Sequence, residues 1–451
     1  MSGPVEPLGR PGGGGSITVG AVAAFRGWRA FRHRNYRLFF GGQAISLVGT
    51  WMQQVAQGWL VLQLTGDPFA LGLVAAAQFT PVLILGLFGG IVADQLPKRR
   101  TLIFTQVSAA ALALVLFALS ATGVVQVWHV IVLAVLLGVV NAVDMPTRQA
   151  FAVEMVGRED VANAVGLNSA LFNASRILGP ALAGLTIGAF SISIAFLLNG
   201  LSYFAVIAGY FAMRDDDLRP TPQLDRPRSV SDVVETLAEG LSYVRRTSIV
   251  LLAISVVGAV ATFGMNFSVL TPPLAQDVLH SDASGYGFLM SASGLGSLAA
   301  ALGIAFASRA RTAAIAWGAI VLGAAEVVLG LSRSFPLSIV AMLAVGFGGI
   351  AMAATANTAI QLTVPDQLRG RVMSVYTTVF AGSTPIGGLL LGAIASRFGV
   401  PEALLIGGVV SLIVGLGAFA WLRTINAAGV LRPSGHAVTA EPTGLTTARP
   451  R

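Results

Sequence analysis

The chain reads as an all-α membrane protein of twelve transmembrane helices, arranged as two pseudo-symmetric six-helix halves. Three observations predict this. Of the 451 residues 55% are hydrophobic and only 11% charged, and a mean hydropathy of +0.78 lies outside the soluble range. Apolar runs of about 20 residues, the length that crosses a hydrocarbon core, recur along the chain and are parted once by a long polar segment. Finally, the sequence around the fifth run recurs about 208 residues later.

The spans are expected at 38–62, 70–93, 101–122, 127–148, 163–188, 192–213, 249–275, 285–308, 312–331, 336–361, 369–395 and 401–422. Residues 1–37 form a disordered tail followed by a basic segment, in which Phe25, Trp28 and Phe31 alternate with Arg26, Arg29, Arg32 and Arg34. That pattern fits either an amphipathic helix on an anionic membrane face or a basic flank to the first span. Residues 38–213 are the first half, 214–248 a cytoplasmic linker, 249–422 the second half and 423–451 a disordered cytoplasmic tail. The linker carries Pro220, Pro222, Pro227 and Asp215–Asp217, then an amphipathic periodicity at Val230, Val233, Val234, Leu237 and Leu241. The 53 glycines fall largely within spans, where small residues let helix backbones approach.

Orientation follows from the basic residues, because cytoplasmic loops carry the excess of Lys and Arg. One side collects the N-terminal arginines, Lys98, Arg99, Arg100, Arg148, Arg158, the linker arginines, Arg309, Arg311, Arg369, Arg371 and the C-terminal arginines; the other has Arg333 and Arg397. Both termini are therefore expected in the cytoplasm, with the protein a multi-pass component of the cell membrane. Cysteine is absent and His33, His129, His280 and His436 are far apart, so neither metal nor cofactor is expected. The dispersed arginines argue against a nucleic-acid partner.

In the repeat, Val156, Phe172, Ser175, Gly179, Leu182 and Gly184 match Val364, Phe380, Ser383, Gly387, Leu390 and Gly392, which aligns span five with span eleven. Duplicated halves place a substrate site near the bilayer midplane, at their interface. Candidate cavity residues follow from polar groups inside spans. Gln43, Ser46, Thr50, Gln53 or Gln54, and Gln57 share a face of span one, either lining a cavity or bonding between helices. Span four offers Asn141 beside Asp144 and Arg148, and span ten offers Asn357 and Gln361 one turn apart.

The charges inside spans, Asp144, Arg176 and Glu326, are candidates for proton coupling. Arg176 is also a candidate for a structural ion pair or for substrate contact, while Glu326 is expected to have a structural partner or to mark a shifted span boundary. At 1.5 Å per residue Arg176 lies about 20 Å into span five, and Asp144 about 6 Å from the inner end of span four. Their direct pairing then needs full extension or water. Thr384 occupies the place of Arg176 in the other half.

The segment from Gly90 through Asp94 to Lys98, Arg99 and Arg100 resembles the signature of the major facilitator superfamily, with Gln95 and Pro97 departing from its usual Arg and Gly. The stretch from Asp144 to Glu154, followed by Asn163, Asn168, Asn173, Arg176 and then Gly179, Pro180 and Gly184, is similar to the superfamily's exporter branch, which includes the enterobactin exporter and macrolide-efflux proteins. The resemblance implies that spans one, four, seven and ten are the cavity helices and that the acid at Asp94 joins the halves at the start of span eleven. It also implies that the basic cluster meets anionic inner-leaflet lipids and that Gly179, Pro180 and Gly184 are a shortened antiporter motif. The Arg-x-x-Gln-Gly motif of many drug antiporters is missing.

The expected function is that of a secondary transporter, a proton-coupled exporter of amphipathic organic compounds (drugs, macrolides or siderophores) by alternating access, working as a monomer. A dedicated exporter of a single metabolite such as a siderophore is the alternative, and a non-transporting scaffold or sensor a remote one. No phosphate-cradling Gly-x-x-x-x-Gly-Lys loop and no nucleophile elbow occur, so neither an ATP-driven pump nor an intramembrane hydrolase is expected.

Overall fold

The computed structural model describes residues 28–219, 230–306 and 312–427, and side chains over the same residues except 87–95, 230–234 and 425–427. The expected tails before residue 28 and after 427, the linker prolines, Arg309 and Arg311 lie outside the described residues. The first half comprises α1 (Arg34–Thr65), α2 (Pro68–Gln95), α3 (Lys98–Ala121), α4 (Val127–Val156), α5 (Val161–Ala189) and α6 (Ile192–Phe211). After the linker helix α7 (Val230–Arg246), the second half comprises α8 (Ser248–Gly264), α9 (Phe267–Pro273), α10 (Ala283–Phe306), α11 (Ala313–Leu331), α12 (Phe335–Thr363), α13 (Asp366–Phe398) and α14 (Val400–Ala427).

Among the described residues, eleven helical segments are long and apolar enough to cross a membrane, with α8, α9 and the turn after them counted as one. The segment α1 is missing from that set. It is long enough, at 32 residues, but Gln43, Thr50, Gln53, Gln54 and Gln57 make it too polar. It stops at Gly66, whose left-handed φ of 62° suits a residue without a Cβ.

Span seven is not the continuous helix expected over 249–275. It breaks at Met265 and Asn266, between α8 and α9. Asn266 Nδ2 donates to the Thr262 carbonyl at 2.7 Å, so a side chain takes the acceptor that the next helical turn would use. Pro272 and Pro273 withhold two further backbone donors, and a wide turn over Leu274–Val278 finishes the segment.

Of the basic N-terminal segment, Phe25 and Arg26 lie outside the described residues. From Trp28 onward it is a docked turn, Arg29–Arg32, and Ala30 is fully buried. Ala30 N–H donates to Asn163 Oδ1 at 2.9 Å. Asp160 receives His33 Nε2 at 3.0 Å and pairs with Arg29 Nε at 3.0 Å. The His33 hydrogen bond, helped by the charges of Arg29 and Arg32, holds the Asp160 carboxyl below the usual carboxylate range against the effect of burial.

The two halves repeat one packing scheme. In the first, α1 packs on α6, α2 on α4, and α3 on both α4 and α6; in the second, α8 packs on α14, α10 on α12, and α11 on both α12 and α14. The halves meet along α2 with α13 and α5 with α10. On the face carrying the linker, α7 lies against α13, with Gly240 over the Arg371 carbonyl and Val244 buried.

Among the described residues, the buried apolar contact between halves lies toward one end. Toward the face opposite the linker, a single buried cluster draws on both halves, from Met52, Trp59, Leu71 and Phe196 to Leu270, Leu289, Met342 and Leu404. Toward the linker face the clusters separate. Tyr36, Leu102, Phe151 and Tyr210 belong to one half only, and Val257, Leu322, Met352 and Tyr376 to the other. Accordingly Val165, Phe172, Leu362 and Phe380 remain exposed there. Among the described residues, the halves are thus sealed at the far face and parted at the linker face.

Small residues make the seal. A Cβ on Gly184 would stand 2.8 Å from Ser284 Cα, and one on Gly392 3.0 Å from the Pro68 carbonyl oxygen. Gly287 lies against the Pro180 carbonyl, and Gly72 against that of Gly388. Ser284 Oγ donates to Gly184 O at 3.1 Å and Ser291 Oγ to Ile177 O at 2.7 Å, which satisfies the hydroxyls between closely packed backbones.

Candidate translocation site

Asp144 is the centre of a buried polar network. The helix α4 runs on to Val156, past the expected end at 148, so Asp144 lies about 18 Å from its linker-face end, deeper than expected. Its carboxylate is 3% exposed and fully engaged. Oδ1 accepts from Thr105 Oγ at 2.7 Å and from Gln106 Nε2 at 2.9 Å, both on α3. Oδ2 pairs with Arg148 Nη2 at 3.1 Å, one helical turn away. Arg148 Nη1 in turn donates to Gln43 Oε1 on α1 at 3.1 Å. Three helices therefore neutralise and saturate one intramembrane charge, whose loss of partner would be costly. Thr105 and Gln106 escape the sequence reading, and the adjacent polar pair in an otherwise apolar span is the only signal for them.

The polar face of α1 is shared among its neighbours. Gln53 Oε1 accepts from Asn199 Nδ2 of α6 at 2.6 Å, and Gln57 Nε2 donates to Gln78 Oε1 of α2 at 3.4 Å. Both are buried, and such interhelical bonds are worth on the order of 0.6 kcal/mol apiece. Thr50 is exposed, its Oγ donating to the Ser46 carbonyl at 2.9 Å, and Gln54 is half-buried. On α4, Asn141 is half-buried above Asp144. On α12, Gln361 Nε2 donates to Asn357 Oδ1, and Gln361 is exposed toward the parted side.

Arg176 lies about 22 Å from the start of α5, only a few ångströms from the depth of Asp144, yet the two do not pair. Direction separates them. Asp144 is turned to α3, whereas Arg176 has its guanidinium 5.8 Å from the Trp51 ring centroid on α1. Trp51 also meets Phe172 edge-on at 5.6 Å. Glu326 lies well inside α11, so no span boundary is shifted, and the expected structural partner for its Oε2 is missing among the described residues. It is 2% exposed, beside Gly264 of α8 and Gly407 of α14, away from the other two charges.

Of the signature residues, Gly90 and Asp94 lie on α2 with their side chains outside the described residues. Lys98 pairs with Glu154 at 2.7 Å, and Arg99 binds the Tyr210 carbonyl at 2.8 Å and the Asp215 carboxylate. Only Arg100 is exposed, so most of the basic cluster is occupied within the first half. Gly179 packs on Trp51 and Val48 of α1, while Pro180 and Gly184 face α10.

The family model described as transmembrane secretion effector, within the major facilitator superfamily, matches residues 25–439. The chain is 31% identical over 379 residues to the multidrug efflux pump Tap of Mycolicibacterium fortuitum, covering 80% of this chain and 89% of that one. It is 23% identical over 393 residues to the staphyloferrin A transporter of Staphylococcus aureus (84% and 94% covered), and 23% identical over 399 residues to macrolide efflux protein A of Streptococcus pyogenes (85% and 96% covered). Among solved structures, a bacterial homolog of the human lysosomal transporter Spinster in an inward-facing, unoccupied conformation superposes with a TM-score of 0.69 at 10% identity, covering 89% of this chain and 98% of that one. A peptide transporter of the POT family gives 0.70 at 14% identity, covering 88% and 95%, so the fold is common to both. Two matching six-helix halves, sealed by glycines along α2 with α13 and α5 with α10, and a family match over nearly the whole length lead to one conclusion: the chain is a multi-pass membrane transporter of the major facilitator superfamily, in its transmembrane secretion effector family.

Proposed function

We propose that this transporter is a proton-coupled exporter of amphipathic organic compounds working by alternating access, with α1 as a twelfth membrane crossing and the linker face in the cytoplasm of the cell membrane. The carrying observation is that both halves share one buried cluster at the far face and keep separate clusters at the linker face. A seal of glycines and serines at one end can open by rocking of two intact bodies, with an equivalent seal closing at the other. The drug and macrolide specificities of the relatives support the substrate class, and the excess of Arg on the linker face supports the orientation.

Asp144 is the coupling acid in this reading. Its bond with Arg148 spans one turn of α4, and Gln43 tethers that arginine to α1, so movement between α1 and α4 changes how strongly the carboxylate is held. The test is flux in proteoliposomes with an imposed pH gradient, screened against macrolides, dyes and siderophores. Asp144→Asn should abolish uphill efflux and leave downhill exchange. Full uphill transport by a folded Asp144→Asn protein would remove Asp144 from that role. A dedicated exporter of one siderophore is the second reading, favoured by the staphyloferrin A transporter among the relatives; uphill transport of a siderophore alone in the same screen would select it.

A further inference from the structure

Arg176 carries a permanent charge with no ion pair and no hydrogen bond among the described residues. Among the described residues, its environment offers no acid. The helices α1, α5 and α10 contain no Asp or Glu, Asp144 is saturated by Arg148, Thr105 and Gln106, and Glu326 lies in the other half. The contact with Trp51 engages the face of the guanidinium and leaves its five N–H donors unused.

Its direction is set by the helix. On α5, Gly179 meets α1, whereas Ile177, Pro180 and Gly184 meet α10. Arg176 falls between those two contact lines, so its side chain enters the space where α1 and α10 diverge. Val165 and Ser169 continue the same line toward the linker face and are exposed. The Arg176 carbonyl itself lies 3.0 Å from a Cβ built on Gly294, so the residue stands where the seal between halves begins. Among the described residues, this line of exposed positions therefore ends on the Arg176 guanidinium, beside Trp51 and Phe172.

A planar fork of donors is complementary to a carboxylate, and an aromatic wall beside it suits a flat apolar body carrying that group. We propose that Arg176, with Trp51 and Phe172 behind it, is a subsite for the carboxylate of amphipathic organic anions. The inference rests on the transporter reading above and narrows its substrate class. Thr384 at the equivalent place in the second half makes the subsite single.

The test uses a carboxyl-rhodamine and its methyl ester, which differ only in the anionic group. Binding to the detergent-solubilised full chain is followed by fluorescence polarisation, and flux by the proteoliposome assay. Arg176→Gln should weaken binding of the acid about ten- to a hundredfold, the scale of a lost charged hydrogen bond, and that of the ester less than about threefold. Equal losses for both dyes, or no loss, would overturn the subsite, as would a wild-type protein that binds the acid no more tightly than the ester. If the glutamine variant unfolds, Arg176→Lys decides, because it keeps the charge without the fork: selective weakening for the acid is expected, and wild-type affinity for both dyes overturns the idea. Selective binding of the acid without any gradient-driven flux would leave the subsite standing and defeat the exporter reading instead.

Discussion

The two halves share a scaffold and differ in chemistry. Gly179 of α5 packs on α1 and Gly184 on α10; 208 residues later, Gly387 of α13 packs on α8 at the Thr262 carbonyl and Gly392 on α2. The pairing of helices is copied with the glycines. The charges are not copied: Met352 and Ala356, both fully buried, occupy the places of Asp144 and Arg148, and Thr384 that of Arg176. Rocking needs two similar bodies joined by close backbone contacts, which selects small residues in both. The proposed proton site and the proposed anion subsite each need their polar groups only once.

The strongest way to break this comparison is to force the first half's chemistry onto the second. Met352→Asp places a carboxylate at a fully buried site with no arginine, which should cost about 3–5 kcal/mol and prevent recovery of a monodisperse protein. Adding Ala356→Arg supplies the partner one turn away and should restore part of the yield. Size-exclusion profiles of the single and double variants check this, and a single variant that behaves as wild type would show that this site accepts an unpaired carboxylate, as the site of Glu326 does.

A smaller effect tests the shared scaffold. A Cβ on Gly179 would collide with Trp51, and one on Gly387 with the Thr262 carbonyl, so alanine at either should cost about 1–3 kcal/mol. Gly382→Ala, whose Cβ would stand 3.7 Å from Leu83, should change stability by less than about 0.5 kcal/mol. Thermal unfolding in detergent compares the three. A loss at Gly179 without one at Gly387 would mean that the packing symmetry is not energetic.

The smallest effect concerns the docked segment, where Asp160 of the first half has Leu368 as its counterpart. Because the folded carboxyl is held below the usual range, its contribution is present above about pH 4 and is lost as the pH falls through the depressed value. Asp160→Asn should therefore unfold earlier than wild type at neutral pH, by about 0.5–1 kcal/mol given the exposure of Arg29, and the gap should close on acidification below about pH 4. A gap that widens in acid would contradict the assignment.

Much of this architecture is legible along the chain. The apolar runs, the polar linker and the repeat around Gly179 and Gly387 are written at the periods a membrane imposes. Elements that depend on one local substitution are not legible: the break at Asn266 requires its side chain to reach Thr262, and the turn at Arg29–Arg32 requires Asp160 and Asn163 to be near. Within the site, Asp144 and Arg148 share a face at a helical spacing that the sequence displays, whereas Thr105, Gln106 and Gln43 come from other helices.

By itself the sequence determined the membrane environment, the duplicated halves, the surplus of Arg toward one side and the short list of intramembrane charges, because composition, period and spacing are properties of the chain alone. Tertiary structure alone decided how those charges are used. Asp144 and Arg176 lie at similar depths, but α4 turns its acid toward α3 and α5 turns its arginine toward α1, so the acid finds a charged partner on its own helix and the arginine, among the described residues, only the Trp51 ring. Depth follows from counting residues along a helix, whereas contact depends on the rotation and neighbours of each helix, which only the packed bundle sets.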